Sequence, residues 1–124
     1  MLSLNYKSGV PICDQIVNGF IRMKALGLIA AGDQLPSVRT LAIELGVNPN
    51  TVQKAYQQLE AGGVIYSMKG KGSFIAEDDL ADTAVIKAAK AEFEKAVKAA
   101  AELGLGEEEL IGLVKTVLKG EDRA

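Results

Sequence analysis

Two short amphipathic segments separated by a tight turn constrain this 124-residue chain most, in the run LPSVRTLAIELGVNPNTVQKAYQQLE at residues 35–60. The first predicted helix has Ser37 as its N-cap and ends at Gly46. The second has Asn48 as its N-cap and Pro49 as its first residue, where a missing N–H costs nothing. Apolar residues recur at helical spacing, and we expect burial of Val38, Leu41, Ala42 and Leu45 in the first helix and of Val52, Ala55, Tyr56 and Leu59 in the second. The pattern predicts a helix-turn-helix with one polar face left outside.

The polar face of the second helix concentrates hydrogen-bonding side chains in its first two turns. They are Asn50, Thr51, Gln53, Lys54 and Gln57. The second helix of a helix-turn-helix enters the major groove of DNA by its N-terminal end, where Asn or Gln can bond bidentately to adenine. A helix N-terminus also favours a phosphate, because its unpaired N–H groups and its dipole point outward. An ordinary solvated polar helix face explains such residues equally well. The elements that flank this helix must therefore decide between the two interpretations.

A basic segment punctuated by glycine, IYSMKGKGSFIA, follows the helix pair within a few residues. Two strand-like runs, residues 64–68 and 73–76, flank Lys69, Gly70 and Lys71 and predict a β-hairpin with a cationic tip. Such a tip can lie along the minor groove or the sugar-phosphate backbone of DNA. Gly70 permits a positive φ there, and a backbone without Cβ can approach a sugar or phosphate closely.

The ordered set of helices and hairpin resembles the winged helix-turn-helix domain of the GntR family of bacterial transcription regulators. The resemblance covers about Pro11 to Ala76, with PICDQIVNGF as the first helix, GDQLPSVRTLAIELGV as the second, NPNTVQKAYQQLEAGGVI as the recognition helix and KGKGSFI as the wing. The short C-terminal remainder further resembles the YtrA-like subgroup, which has only a small helical tail. Larger relatives carry an effector-binding domain at that place.

The resemblance implies a sequence-specific DNA-binding transcription regulator, by default a repressor, that often controls a neighbouring transporter operon. Family members have a DNA-contacting arginine at the position of Arg39, whose planar fork can bind guanine or grip a phosphate. A surface salt bridge with Glu44 is the alternative role for this arginine. The residues expected to contact a double-stranded DNA operator are Ser37, Arg39, Asn48, Asn50, Thr51, Gln53, Lys54, Gln57, Lys69, Gly70 and Lys71.

One departure from the family pattern concerns base preference. Many members have an arginine in the turn and another in the recognition helix, where this chain has Pro49 and Gln53. Fewer cations predict weaker non-specific attraction, since each neutralised phosphate contributes close to one unit of salt slope. Our hypothesis is that a recognition helix rich in amides prefers A·T steps in its DNA site.

The charge is divided unevenly along the chain. The net charge is −2, but residues 1–76 hold seven Lys or Arg against four acids and residues 77–124 hold seven against twelve. The first part therefore carries +3 and the second −5. Because the field at a contact surface is screened within about 10 Å, the local charge governs attraction to DNA. An acidic tail is thus compatible with a basic DNA-binding domain.

The C-terminal part reads as two amphipathic helices. After an acidic link at residues 77–79, an alanine-rich helix is expected from about Leu80 to Leu103, ended by Gly104, and a second from about Glu107 to Lys119. Their apolar residues follow a close-packing pattern. The residues expected in a dimer interface are Ile86, Phe93, Val97, Leu103, Leu110, Val114 and Val117, and Leu110, Ile111, Val114, Val117 and Leu118 are expected to be buried.

Two such helices leave one apolar face without a partner, and a two-fold homodimer is its simplest use. The alternative is that the tail packs on its own domain. A dimer would present two recognition helices to successive major grooves of a pseudo-palindromic operator. The fold class expected is mainly α with a small β-hairpin, a winged helix-turn-helix domain at residues 1–76 plus a two-helix dimerisation hairpin at residues 77–124.

Composition argues against several other classes. The chain has no histidine and one cysteine, Cys13, so we expect neither a zinc site nor an internal disulfide. We expect Cys13 to be a buried structural thiol of a protein in a reducing compartment. No segment has the roughly 20 apolar residues that span a bilayer, and no cleavable signal is recognised, so we expect a cytoplasmic protein without membrane contact. No cofactor is expected. Two short helices seldom enclose a drug-sized cavity, so a dedicated effector domain is not expected. The sequence does not identify a small-molecule effector.

Two rival functions remain to be weighed. The winged helix could bind a protein partner through Tyr56 and the wing, without specific DNA binding. The glycine-rich segment at residues 70–73 could suggest nucleotide hydrolysis, but a phosphate-binding loop needs GxxxxGK[ST] running into a helix, whereas Phe74 and Ile75 read as strand. No nucleophile with a base and no paired acids appear elsewhere, so the chain is not expected to be an enzyme.

Overall fold

The chain forms five α-helices and one antiparallel hairpin in the computed structural model, which describes residues 2–77, 79–80 and 83–122. In chain order the elements are α1 (Ile12–Ala25), α2 (Val38–Leu45), α3 (Pro49–Ala61), β1 (Ile65–Met68), β2 (Gly72–Ile75), α4 (Ala84–Glu102) and α5 (Glu107–Asp122). The expected class, mainly α with a small β-hairpin, is confirmed. The residues through Lys87 form one compact unit, the head, and those from Ala88 onward form a second, the tail.

Side-chain caps set the start of both helices of the helix-turn-helix. The Ser37 hydroxyl accepts a hydrogen bond from the Thr40 N–H at 3.1 Å, and the Asn48 side-chain oxygen accepts one from the Asn50 N–H at 2.8 Å. Each bond satisfies an N–H that the first helical turn leaves unpaired. Gly46 ends α2 with φ of 68°, a left-handed conformation that glycine adopts without strain. The predicted starts of α2 and α3 and the end of α2 are confirmed.

The core of the head lies between α1, α2, α3 and the hairpin. Its buried apolar residues are Ile16, Val17, Phe20, Leu35, Leu41, Ala42, Val52, Ala55, Tyr56, Leu59, Val64, Ile65 and Ile75. The Phe20 and Tyr56 rings meet edge to face with centroids 5.9 Å apart, which joins α1 to α3. All four apolar residues predicted for α3 are buried, as expected.

Three residues expected in the core are only half-buried. Val38 and Leu45 are the first and last residues of α2, where an eight-residue helix turns partly away from the core. Cys13 lies in the first turn of α1 and is half-buried as well. Burial still raises the pKa of its thiol, with a smaller contribution from Asp14, and Lys54 opposes both. All three side chains pack against the core, so the expected burial is realised only in part.

An extended segment before α2 pairs with β2 on the side away from β1. Gln34 forms an antiparallel bridge with Phe74, and the Leu35 N–H donates to the Ser73 carbonyl at 2.8 Å. Leu35 is buried, so this edge is part of the core. The segment is too short to show a strand pattern in the sequence.

Three helices have different bounds from those predicted, and one of them, α5, extends to Asp122, past the expected end near Lys119. α1 extends to Ala25, past the expected end at Phe20, because Met23 also packs against the core. α4 begins at Ala84, after the expected start near Leu80, and the Thr83 hydroxyl accepts a weak hydrogen bond from the Ile86 N–H at 3.4 Å. Thr83 thus acts as the N-cap. Parts of the predicted acidic link and helix start lie outside the described residues, namely Asp78, Ala81 and Asp82.

The tail is a hairpin of helices with most of its apolar residues exposed. Gly104 has φ of 98° and the Leu105 N–H donates to the Ala100 carbonyl at 3.2 Å, so α4 ends near Gly104 as predicted. The burial expected for α5 is wrong within the single chain: Ile111, Val114, Val117 and Leu118 are exposed and Leu110 is half-buried. The reason is that the two helices do not cover their own apolar faces: neither has a fully buried residue among those described.

Candidate nucleic-acid interface

The helix α3 has one buried and one polar face. Asn50, Gln53, Lys54 and Gln57 are exposed and Thr51 is half-buried, so none of the five lies in the core. The buried residues of the helix alternate with them at helical spacing. The first two turns therefore present amides, a hydroxyl and an ammonium group to solvent.

Ser37 and Asn48, both expected to contact DNA, already have partners in their own turns. The Ser37 hydroxyl donates to the Thr40 hydroxyl at 2.8 Å besides capping α2. The Asn48 side-chain oxygen caps α3 through the Asn50 N–H, which leaves its amide nitrogen for another acceptor. Both residues fix helix starts whose remaining N–H groups suit a phosphate.

Arg39 projects from the first turn of α2 and is exposed. Its alternative role, a salt bridge with Glu44, is not realised: the two residues form no ion pair in the described part of the chain. They are five positions apart, whereas helical partners lie three or four apart. The guanidinium is therefore available to an external anion or base.

The tip of the hairpin presents two lysines to solvent. Lys69, Gly70 and Lys71 are all exposed, and Gly70 has φ of 78°, which confirms the predicted positive value. The Lys71 N–H donates to the Met68 carbonyl at 2.9 Å and closes the turn. The tip can thus bring two cations and a Cβ-free backbone to a phosphate.

Two side chains that sequence reasoning missed fix the wing to the rest of the head. The Gln34 amide nitrogen donates to the Lys71 carbonyl at 2.8 Å, and the Glu60 carboxylate accepts from the Ser67 N–H at 3.2 Å. Gly72 has φ of 118°, which strains other residues, and a Cβ there would lie 2.7 Å from that Gln34 nitrogen and would displace it. The partners are 37 and 7 residues apart, which no short-range pattern reveals.

Tyr56 joins the recognition helix to the start of α2. Its hydroxyl donates to the Pro36 carbonyl at 2.6 Å, and the residue is 5% exposed. Burial raises the pKa of Tyr56 well above its usual value, and the Glu44 carboxylate raises it further. Tyr56 is therefore a structural residue and is not available as the contact that the protein-interaction alternative assigned to it.

Features of other functional classes are not found in the described residues. The glycine-rich segment continues as strand β2 rather than as a helix, which removes the geometry of a phosphate-binding loop. The described chain holds no group of three or more side chains suited to a metal ion. None of its helices combines the length and apolar character needed to cross a bilayer.

The tail contains an open apolar groove of about 850 Å³ between α4 and α5. Five residues of the predicted dimer interface line it, namely Phe93, Val97, Leu110, Val114 and Val117. Ile86 and Leu103 do not line it: Ile86 belongs to the head, and Leu103 follows the last residue of α4 and is 83% exposed. The groove is a large exposed apolar surface.

A helix-turn-helix with a polar recognition helix and a cationic hairpin wing defines a winged helix-turn-helix DNA-binding domain. The family described as "Bacterial regulatory proteins, gntR family" matches residues 21–75. The chain belongs to this GntR family and is a DNA-binding transcriptional regulator, not an enzyme.

Two curated relatives match much of the chain. An uncharacterized HTH-type transcriptional regulator, YhcF of Bacillus subtilis (strain 168), is 40% identical over 110 residues, which are 88% of each chain. The HTH-type transcriptional repressor YtrA of the same organism is 41% identical over 78 residues, 63% of this chain and 60% of the repressor. The similarity to YtrA agrees with the subgroup expected from the sequence.

Solved structures share the fold. A transcriptional antiterminator from Listeria monocytogenes EGD-e is 36% identical with a TM-score of 0.74, over 94% of this chain and 89% of that one. A GntR family transcriptional regulator from Listeria monocytogenes is 35% identical with a TM-score of 0.67, over 90% and 98%. The DNA-binding domain of AraR in complex with operator ORE1 is 26% identical with a TM-score of 0.53, over 61% and 93%.

Proposed function

We propose that this chain is a transcriptional repressor that binds a pseudo-palindromic operator as a homodimer. The observation that supports the proposal most is that one compact unit exposes the polar face of α3 together with Arg39 and the two lysines of the wing tip. Those groups match what duplex DNA offers, which is base edges in the major groove and a row of phosphates. Such a regulator acts on chromosomal DNA in the cytoplasm.

In this proposal the contacts divide by chemistry. Asn50, Gln53 and Gln57 read base edges, because their amides donate and accept at once. Thr51, Lys54 and the wing lysines contact the backbone, since an ammonium group suits a phosphate without reading sequence. Arg39 binds either a guanine or a phosphate in two places. Ser37 and Asn48 contribute through the helix starts that they cap.

The same chemistry supports a preference for A·T steps. The expected arginines of the turn and the recognition helix are replaced by Pro49 and Gln53, so amides outnumber guanidinium groups on the reading surface. Asn and Gln pair with adenine, whereas Arg pairs with guanine. If selected half-sites contained only G-rich sequence, this preference would be refuted.

The tail groove supports the homodimer. Its apolar residues are exposed in the single chain, and a large apolar surface of this kind marks an interface. A two-fold pair through it would supply one recognition helix for each half-site of an operator whose half-sites lie about one turn of DNA apart. Joining two heads makes the second binding event intramolecular and raises affinity without a new contact.

Repression rests on the relatives. YtrA of Bacillus subtilis carries the name of a transcriptional repressor, and the DNA-binding domain of AraR was solved on its operator. The proposal extends to control of a neighbouring transporter operon, on the strength of the resemblance to the YtrA-like subgroup.

A selection from random duplex DNA with the full chain tests the proposal. We expect enrichment of an inverted repeat whose half-sites lie about one helical turn apart. The affinity of the enriched DNA should fall steeply between about 50 and 200 mM salt, and sedimentation should give a dimer at micromolar protein. A winged helix that only binds proteins would enrich no sequence. A monomer at that concentration would refute the dimer.

A further inference from the structure

A second cavity lies within the head and has no role in the functions considered so far. It has a volume of about 310 Å³ and is walled mainly by apolar side chains, among them Leu2, Met23, Ile29, Leu41 and Ile75. This volume reaches the lower end for small-molecule sites and is about twice that of an engineered cavity that binds benzene. A molecule with one fused ring pair therefore has room.

The polar groups of the wall set the charge of a ligand. Asp33 and Glu44 line the cavity, whereas no lysine or arginine is among the described residues that do. One Asp33 carboxylate oxygen accepts the Ala30 N–H at 2.9 Å, which leaves the other free. Both acidic side chains are also exposed to solvent. An apolar molecule with an ammonium group fits this wall, and an apolar carboxylate does not.

The wall of the cavity is connected to the surface that we assign to DNA. Gln34 lines the cavity and its amide nitrogen holds the Lys71 carbonyl in the wing. Pro36 also lines it, and its carbonyl accepts the hydroxyl of Tyr56 from the recognition helix. A ligand that shifted this segment would act on the wing and on the start of α2 together.

We propose that the cavity in the head binds a small apolar amine and that its occupancy changes the affinity of the protein for DNA. The binding half stands on the cavity and its two carboxylates. The regulatory half rests on the proposed function, because it needs a specific DNA site. Coupling requires only that the ligand prefer one arrangement of the 33–36 segment over another.

Three probes that share the naphthalene ring and differ in charge test the binding half. We would titrate the ¹⁵N-labelled full chain with 1-naphthylmethylamine, 1-naphthylmethanol and 1-naphthoate and follow amide shifts. The expected result is binding of the amine about two- to fivefold tighter than the alcohol, the range of a solvent-exposed ion pair, with the naphthoate weakest. The shifts should centre on Met23, Ile29 and Ile75. Equal affinity of the three probes, or shifts confined to the tail groove, would overturn the proposal.

Two variants separate the cavity from a general effect. Ile29→Trp fills the space and should abolish binding of the amine, whereas Leu28→Trp adds the same side chain at a neighbouring position that is 65% exposed and should leave it intact. Glu44→Gln, a change at the surface, should lower the preference of the amine over the alcohol without loss of alcohol binding, and the Asp33 carboxylate should account for the preference that remains. An unchanged preference would refute the role of this carboxylate.

The DNA selected with the ligand-free protein tests the regulatory half. Saturating amine should change the affinity for that DNA by about fivefold or more in the wild type and in Leu28→Trp, and by nothing in Ile29→Trp. Binding of the amine without a change in DNA affinity would overturn the regulatory half alone. If no DNA sequence were enriched, the proposed function and the regulatory half would fail together, while the probe titration would still decide the binding half.

Discussion

The Glu60 carboxylate of α3 accepts a hydrogen bond from the Ser67 N–H of β1 at 3.2 Å. This bond links the last turn of the recognition helix to the strand that leads to the wing tip. A second bond, from the Gln34 amide to the Lys71 carbonyl, holds the opposite side of the tip. Besides the shared core, two side chains that need not touch DNA therefore help to hold the helix and the wing in their relative position.

Removal of the Glu60 acceptor should weaken discrimination between DNA sequences. Glu60→Ala is expected to lower the ratio of specific to non-specific affinity several-fold and the free energy of unfolding by about 0.5–1 kcal/mol, since the group is exposed. Glu60→Gln is the matched control, because it removes the charge and keeps an acceptor. Fluorescence anisotropy on selected and scrambled duplexes measures the ratio. The same ratio in both variants would contradict a positioning role.

The hydrogen bond from Tyr56 to Pro36 should contribute to stability. Tyr56→Phe leaves the Pro36 carbonyl without this donor and is expected to lower the free energy of unfolding by about 1–1.5 kcal/mol in chemical denaturation. Tyr66→Phe provides the comparison, because Tyr66 is 39% exposed on the hairpin. A loss of equal size in both variants would show that the buried bond does not account for the effect.

Tyr56 should also make the protein less stable at high pH. Because burial, aided by Glu44, raises its pKa in the folded state, the unfolded chain releases this proton first as the pH rises through about 10. The folded state then binds more protons than the unfolded one, so stability is full below that pH and falls above it, by at most about 1.4 kcal/mol per pH unit. The fall should be shallower in Tyr56→Phe, as denaturation at a series of pH values would reveal. Parallel curves for the two proteins would refute the assignment.

The sequence predicts the features that depend on neighbours along the chain. Ser37, Gly46 and Asn48 act in the turn where they stand, so capping rules place α2 and α3 correctly. The buried stripe of α3 follows from its period in the same way. Polar residues of that helix are then left to solvent, which gives the candidate reading surface.

Features that depend on distant partners are not predicted. The bridge of Gln34 to Phe74 and the bond of Glu60 to Ser67 join segments that only the fold brings together. The cavity of the head is likewise made from the N-terminal segment, α1, α2 and β2. In the tail, periodicity identifies the apolar stripe but cannot say whether the chain itself covers it, and Val114 is 39% exposed.

Two cationic residues should have different effects on DNA binding. Arg39→Ala is expected to abolish preference for the selected site while the fold survives, because a bidentate base contact contributes about 1–3 kcal/mol of discrimination. Lys71→Ala should weaken binding to all DNA sequences about equally. It should also lower the slope of log affinity against log salt by about one, since an ammonium group neutralises one phosphate. Anisotropy at several salt concentrations with selected and scrambled DNA separates the two effects. Wild-type affinity of Arg39→Ala for the selected site would contradict the assignment.

A charge placed in the tail groove should separate the dimer. Val114 lines the groove, and a lysine there would require burial of an unpaired ammonium group in the paired state. Val114→Lys is therefore expected to sediment as a monomer at micromolar protein. Its affinity for the full operator should fall about a hundredfold, because the second head no longer binds intramolecularly, and its salt slope should be roughly halved.

Thr116→Lys is the control for this change. It adds the same charge two residues away at an exposed position outside the groove, so it should leave the dimer intact. The thermal unfolding of the head in Val114→Lys, compared with wild type, separates loss of dimer from loss of fold. A monomer that still binds the full operator with wild-type affinity would show that the two heads do not act as a linked pair. If Val114→Lys and Thr116→Lys lost the same affinity for the operator, the added charge alone would explain the effect.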